Sequence, residues 1–174
     1  ERRMRRSDIL LIASYPDEVY PVDNCAVIAS IAVHGRSKGT DKGTFVADWL
    51  DAFRTRYVDP ESGLIIQAVS SVDGRAIDEP RGSGTTLGLY FLSFADMQLS
   101  RELYDATRAQ LAKTIFGFGG VREYPASSKG GYGDIDSGPV ILGFGLSPTG
   151  FLLGGARLHK DREYFRRLYA TAHA

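Results

Sequence analysis

The stretch NCAVIASIAVH, residues 24–34, is small or apolar almost all the way round, whereas TFVADWLDAFRTRY, residues 44–57, is apolar on one side only. The second stretch has four aromatic residues at four-residue steps: Phe45, Trp49, Phe53 and Tyr57. That spacing places them on one face of a helix. A helix with a polar face lies at the surface, while one without a polar face must be buried on all sides. The two stretches therefore predict a helical hairpin with a buried inner helix and an amphipathic outer helix.

The same pair of helix types occurs twice more along the chain. Further inner helices are predicted at 83–94 and from 137 into 145, and further outer helices at 97–116 and 160–172. The openings of the inner helices, marked by Asp23, Arg81 and Asp136, are 58 and 55 residues apart, which indicates a repeat architecture. Three such hairpins predict an all-α fold, an α/α toroid with short β-hairpins in its mouth loops. In this fold the three marker residues lie at one rim.

The predicted domain is the whole chain, residues 1–174. Three hairpins make about half of a closed six-hairpin ring. We therefore expect either a missing upstream half, with this chain a C-terminal portion of a longer protein, or closure by self-association; an open arc is the alternative. Residues 59–80 are predicted to form two short strands around the Asp73-Gly74 turn.

Composition excludes some classes of function. The 21 basic residues balance the 21 acidic ones, so no net field attracts nucleic acid, and we expect no nucleic-acid partner.

Residues 138–156 carry no charge and are long enough for a membrane span, but six glycines and Pro148 favour a buried helix pair. Membrane contact is expected only through an upstream anchor. The chain begins at Glu1 without Met and shows no targeting segment, so no compartment is assigned.

Cysteine and histidine usage points away from metal chemistry. A single Cys25 excludes an intramolecular disulfide framework and a cysteine-based metal cluster. The three histidines are far apart and lack metal-ligand spacing. We expect neither a metal nor an organic cofactor.

The segment VDNCAVIASIAVHGRSKGTDKGTFVADWLDAFRTRYVDPESG, residues 22–63, resembles linalool dehydratase/isomerase and its (α/α)6-barrel relatives. The shared features are a P-D pair upstream, an Asn opening an inner helix, W-L-D on an outer helix and D-P-E-x-G before a hairpin. LYFLSFADMQLSRELY, residues 89–104, keeps the family order of inner helix, Asp-containing turn and outer helix. The resemblance runs from about Tyr15 to Tyr169.

This resemblance implies the fold and the location of the site. Two cysteines serve in the active site of the dehydratase, and their positions match Ser14 and Asp23 here, while Cys25 matches neither. The departure at both positions argues against terpene-alcohol chemistry.

Three acids are the candidate catalytic residues. Asp23 either caps its helix or acts as base or nucleophile, and the resemblance places it at a catalytic position. In GYGDIDSGP, residues 131–139, Asp136 can cap the third inner helix, but Asp134 cannot cap it at the same time. Either of these two is a candidate general acid, because paired carboxylates can divide the acid and base roles.

The remaining candidates would bind a small-molecule substrate. Arg81 pairs with Asp136 or Glu79, or it binds a substrate anion. Glu123 is a further possible acid. Rim aromatics predicted to contact substrate are Tyr15, Tyr20, Tyr124 and Tyr132. The sequence thus predicts an acid–base enzyme, of hydratase or glycosidase type, acting on a small organic or carbohydrate substrate; the alternative is a non-catalytic binding or scaffold domain whose acids only cap helices.

Overall fold

A computed structural model of the chain describes residues 1–40, 43–126, 128, 138–141 and 143–174. The helices are α1 Arg2–Arg5, α2 Pro21–Lys38, α3 Gly43–Arg56, α4 Gly82–Leu92, α5 Met97–Gln110, α6 Leu146–Leu158 and α7 Arg162–His173. The strands are β1 Glu18–Val19, β2 Val69–Ser70, β3 Ala112–Ile115, β4 Phe118–Val121, β5 Val140–Ile141 and β6 Phe144–Gly145.

Three consecutive helix pairs form the body of the protein: α2 with α3, α4 with α5, and α6 with α7. Helix α4 packs between α2 and α6, and it can do so because its sequence, GSGTTLGLYFL, carries no charge. One hydrophobic core joins residues from all three pairs. On the outer helix α3, Trp49 stacks on Phe53 with ring centroids 4.7 Å apart, and both are buried as the aromatic spacing predicts.

The inner helices run in the same direction. Arg36, near the end of α2, donates to the carbonyl of Phe94 just beyond the end of α4. Pro148, in the first turn of α6, lies against Gly82 at the start of α4, and Gly155 lies further along against Leu89. The starts of α2, α4 and α6 therefore share one side of the molecule, which we call the mouth.

The predicted all-α class is wrong. About 53% of the described residues are helical, and two antiparallel sheets make the fold a mixed α/β one. The smaller sheet pairs β1 with β2, and the larger has the order β3-β4-β6-β5. Segments predicted to be helical supply three of its four strands, β3, β5 and β6, while β4 lies between the predicted helices.

Two helix predictions fail at this sheet. The outer helix predicted over 97–116 ends at Gln110, because the chain continues as β3 and turns back into β4 at Gly117, whose φ is +90°. The third inner helix, predicted to open at 137, begins at Leu146, after β5 and β6. Residues 138–156 thus hold two strands and part of one helix instead of a helix pair. No helix in the described part of the chain is long and apolar enough to cross a membrane.

The predicted turn at Asp73-Gly74 is present. Gly74 adopts a φ of +74°, and Ser70 N–H donates to the carbonyl of Arg75 across the turn. The segment leading into it, β2, pairs with β1, where Val69 lies opposite Val19. This pairing brings residues 66–70 to the start of α2 at the mouth.

Candidate functional site

A cavity of about 180 Å³ opens at the mouth, between the starts of α2 and α4. Its polar lining comes from Tyr15, Tyr20, Asp23, Gln67 and Ser83. Its apolar lining comes from Val22, Gly84, Leu87 and Phe151. Residues from three inner helices and from the segment before β2 therefore meet in one concavity, the kind of place where small molecules bind.

Asp23 lies in the first turn of α2 and is exposed. The helix begins at Pro21 with Tyr20 as its N-cap residue, in keeping with the preference for proline in the first turn. The capping interpretation of Asp23 is therefore wrong. No hydrogen bond to its carboxylate is found among the described residues. A carboxylate at a cavity, with no hydrogen bond from the described residues, is available to a ligand.

Tyr15 and Tyr20 form one wall of the cavity. Their rings meet edge to face, with centroids 5.7 Å apart and planes at 76°. The Tyr20 hydroxyl donates to Glu18 at 3.1 Å, and its backbone N–H donates to the hydroxyl of Ser14. Tyr15 is 55% exposed, so its ring is free to contact a ligand. Ser14, which the predicted resemblance matches to a family cysteine, accepts this hydrogen bond and so holds the backbone of Tyr20.

Gln67 is one of the lining residues that sequence reasoning missed. It is only 8% exposed, and its Oε1 is buried with no hydrogen-bond partner among the described residues. An unpaired buried amide oxygen is costly, so this one stands out from the rest of the lining. Its sequence context, LIIQAVSS, shows one polar residue within an apolar run, which is the only local signal that could have marked it.

Glu123 is buried to 1% exposure and anchors the start of α4. Its carboxylate accepts from the hydroxyl of Ser83 at 2.6 Å and from the Ser83 N–H at 3.1 Å. Its backbone carbonyl accepts from Gly82 N–H at 2.8 Å. These bonds satisfy two of the free N–H groups of the first turn, so Glu123 fixes the cavity wall that Ser83 provides.

Arg81 is the N-cap residue of α4 and lies beside the cavity, not among its described lining. Its guanidinium forms an ion pair with Asp78 at 2.5 Å and lies over the ring of Tyr124, 5.3 Å from the centroid. The side chain of Arg81 is 14% exposed. Among the described residues its ion-pair partner is Asp78, whereas the carboxylate of Glu79 accepts from Ser128. These contacts favour the structural role of Arg81 over anion binding.

Three predicted site residues, Tyr132, Asp134 and Asp136, lie outside the described residues. Because α6 begins at Leu146, the interpretation that Asp136 caps this helix is wrong. Catalytic roles for the two acids stay predictions from sequence.

Cys25 points into the core next to the cavity. It is fully buried, and its thiol donates to the carbonyl of Pro21 at 3.4 Å. Burial, and then the negative charge of Asp23, raise the pKa of the Cys25 thiol well above its ordinary value. A thiol that stays protonated is a poor nucleophile, so the residue packs instead of reacting. Within the described ranges, no group of three His, Cys, Asp or Glu side chains is arranged to hold a metal ion.

A serine and a histidine also meet away from the mouth. His159 Nε2 lies 2.9 Å from the Ser100 hydroxyl, which itself donates to the carbonyl of Leu89 at 2.7 Å. The Ser100 proton is therefore committed to a backbone carbonyl, and its side chain is fully buried, so the pair ties helices together and is not a nucleophile with its base. Burial, and then the charge of Arg101, lower the pKa of His159 below its ordinary 6.5.

No protein-family model matches the chain, and no curated protein matches it. The resemblance to linalool dehydratase/isomerase therefore rests on the motifs quoted above and stays a prediction.

Proposed function

We propose that the mouth cavity is the site of an acid–base enzyme, related to linalool dehydratase/isomerase, that acts on a small organic or carbohydrate substrate. The observation that carries this proposal is the state of Asp23. Asp23 lines the cavity, is not the N-cap residue of α2, and has no hydrogen bond to its carboxylate from the described residues. Helix capping, the bland explanation for an acid at this position, does not apply to it.

In the proposed reaction Asp23 is the base or nucleophile. For elimination of water, its carboxylate removes a proton from the carbon next to the one that bears the hydroxyl, and the C–H electron pair forms the double bond. A general acid protonates the hydroxyl, so the C–O bond breaks and water leaves. For glycoside hydrolysis, the same pair would serve as base or nucleophile and as proton donor to the leaving group. The general acid is assigned to Asp134 or Asp136 from sequence alone.

The binding roles fall to the aromatic residues, and Arg81 supports the site without contacting the substrate. Tyr15 and Tyr20 line the cavity and would pack against the substrate. Roles for Tyr124 and Tyr132 in binding are proposed from sequence. Arg81 would act indirectly, since its ion pair with Asp78 holds the start of α4. This chemistry calls for no metal or organic cofactor.

One observation favours the alternative, a non-catalytic binding or scaffold domain. Glu123 is used to bind the first N–H groups of α4, which is the role that the alternative assigns to all acids at the mouth. The two readings differ in what Asp23 does.

The test is a turnover screen of wild type, Asp23→Asn and a matched control. Asp48→Asn is the control because Asp48 is also an exposed helical aspartate, on α3, far in sequence from the cavity lining. Substrates would be allylic alcohols for water elimination and nitrophenyl glycosides for hydrolysis. We expect Asp23→Asn to lower kcat at least 100-fold, as for loss of a general base, and Asp48→Asn to leave it unchanged. Turnover retained in Asp23→Asn would refute the proposal.

Self-association, or an upstream segment that completes the fold, stays a prediction. Exposed apolar side chains support it: Val33 at 43%, Tyr90 at 38% and Phe151 at 38% exposure lie on the inner helices, and Phe94 at 43% lies just beyond the end of α4. Light scattering of the 19.0 kDa chain on a sizing column distinguishes a monomer from an assembly.

A further inference from the structure

The cavity at the mouth contains two polar groups that the described protein leaves unused. One is the Asp23 carboxylate, which can only accept hydrogen bonds when ionised. The other is the Gln67 amide, more than nine-tenths buried, whose Oε1 has no hydrogen-bond partner in the described ranges of the chain. An amide can turn by half a rotation about its last side-chain bond, so it can present either its oxygen or its NH₂ to a ligand.

The chemistry of these two groups limits what can bind. A ligand group beside Asp23 must donate a hydrogen bond, because an acceptor there would face a carboxylate with no proton between them. A group that reaches Gln67 can accept from its NH₂ or donate to its oxygen. An anionic group is disfavoured by the charge of Asp23.

We infer that Gln67 is the specificity-determining residue of the cavity, and that it selects a neutral ligand whose polar group both donates and accepts a hydrogen bond, namely a hydroxyl or a primary amide. Such a group donates to Asp23 and completes the hydrogen bonding of Gln67. The body of the ligand packs on Val22, Leu87 and Phe151, which line the same cavity. A cavity of about 150 Å³ holds a benzene ring, so the roughly 180 Å³ here admits a six-membered ring. The inference rests on the proposed site and names its ligand class.

Four probes with one cyclohexyl ring and different polar groups test this. Cyclohexanol and cyclohexanecarboxamide both donate and accept; methoxycyclohexane only accepts; cyclohexanecarboxylate is the anion with nearly the shape of the amide. Binding is measured by NMR titration of the 174-residue chain labelled with ¹⁵N. The side-chain NH₂ signals of Gln67, assigned by their absence in Gln67→Met, report the contact directly.

We expect the alcohol and the amide to bind about tenfold more tightly than the ether and the carboxylate, since one hydrogen bond to a charged group is at stake. Both tight probes should shift the Gln67 NH₂ signals. Gln67→Met should lower the affinity of the alcohol and the amide about tenfold. Gln110→Met, which changes an exposed glutamine on α5, should leave their affinity unchanged. Met is chosen because it keeps the length of the side chain and its apolar body.

Three results would overturn the inference. They are equal affinity for all four probes in the wild type, no binding of any probe, and equal effects of Gln67→Met and Gln110→Met. The comparison of probes on the wild type needs no variant, so a poorly folded Gln67→Met does not block the test. A preference for alcohol over amide, or the reverse, identifies which of the two neutral groups the site takes.

This experiment separates the inference from the proposed function. Selective binding together with full turnover in Asp23→Asn would refute the acid–base role and leave the ligand class standing. Turnover that depends on Asp23, with no selectivity among the probes, would refute the ligand class alone.

Discussion

Gly82→Ala tests the close contact that fixes the start of α4 at the mouth. A Cβ atom at Gly82 would lie 2.3 Å from the carbonyl oxygen of Arg122 and 3.2 Å from Pro148 Cβ. The first contact is with backbone, so no side chain can rotate away, and α4 must move from the segment that carries Glu123. Gly150, in contrast, is a helical glycine on α6 whose added Cβ would meet nothing within 4 Å.

The two alanine variants should change stability in opposite directions. Overpacking against backbone costs about 1–3 kcal/mol, and loosening the buried bonds from Ser83 to Glu123 adds about 1 kcal/mol or more. We therefore expect Gly82→Ala to lower the free energy of unfolding by about 2–4 kcal/mol. Gly150→Ala should raise it by up to about 1 kcal/mol, because alanine favours the helix. At about 2–4 °C per kcal/mol for a domain of this size, Tm should differ by several degrees between them.

Urea denaturation measures both variants, followed by circular dichroism and by the fluorescence of the single Trp49, which is 1% exposed. Ser83→Ala separates the two contributions, since it removes the hydroxyl bond to Glu123 without the clash. Gly82→Ala as stable as the wild type would refute the close approach of α4 to residues 122–123. Equal losses in Gly82→Ala and Gly150→Ala would mean that the helix interior, and not this contact, is responsible.

Three further predictions concern buried groups. Glu123→Gln should lower the free energy of unfolding, measured by thermal melting, by about 1.5–3 kcal/mol, because the hydrogen bonds from Ser83 to the Glu123 carboxylate are lost. The control Glu163→Gln, at an exposed position, should leave that free energy nearly unchanged. The pKa of His159 is lower in the folded state than in the unfolded state, so the stabilisation that neutral His159 gives is full above about pH 6.5 and is lost as the pH falls below that value. The free energy of unfolding from urea denaturation should therefore change less between pH 7.5 and pH 5.5 in His159→Gln than in the wild type. Equal changes in the two proteins would contradict this. Trp49→Phe should cost about 1–3 kcal/mol in urea melts, because the indole N–H donates to a backbone carbonyl at 2.8 Å and its volume fills the core; an unchanged midpoint would count against that contact.

The helices were predictable where the local pattern and the tertiary packing agree. The aromatic spacing on α3 has one solution, a buried stripe, and Phe45, Trp49 and Phe53 are all buried. Helix α4 has no charged residue, so it requires cover on every side, and it lies between two other helices. Both predictions rest on residues within about four positions of one another.

The larger sheet was missed because its stabilising contacts are distant in sequence. Leu111 and Ile115 continue the helical spacing of α5, yet residue 115 lies in β3, paired with Phe118 across the Gly117 turn. Contacts from α7 hold the next strand: Tyr164 donates its hydroxyl to the carbonyl of Gly120 at 2.6 Å. A bond across more than 40 residues leaves no mark in a local pattern. The apolar residues on both sides of Gly117 were the available hairpin signal.

The site was predictable only in part, for a similar reason. Asp23 and the tyrosines lie next to a helix start, and a helix start can be read from sequence. Gln67 and Glu123 have their roles because of contacts that are distant in sequence. Pairing of β1 with β2 brings the segment of Gln67 to the mouth, and Glu123 accepts from the Ser83 N–H at the start of α4. Neither residue has a neighbour in sequence that reveals its partner.

The two acids at the mouth show how position decides the use of a carboxylate. Glu123 has lost its water on folding, and N–H and hydroxyl donors from Ser83 compensate for that loss. Asp23 remains exposed, so solvent still compensates its charge. A ligand that fills the cavity removes this solvent and must replace its hydrogen bonds, which costs affinity for any ligand without a donor. Asp23 therefore discriminates between ligands only when a ligand fills the cavity. In the proposed function, the Asp23 carboxylate would act as a base in that desolvated state.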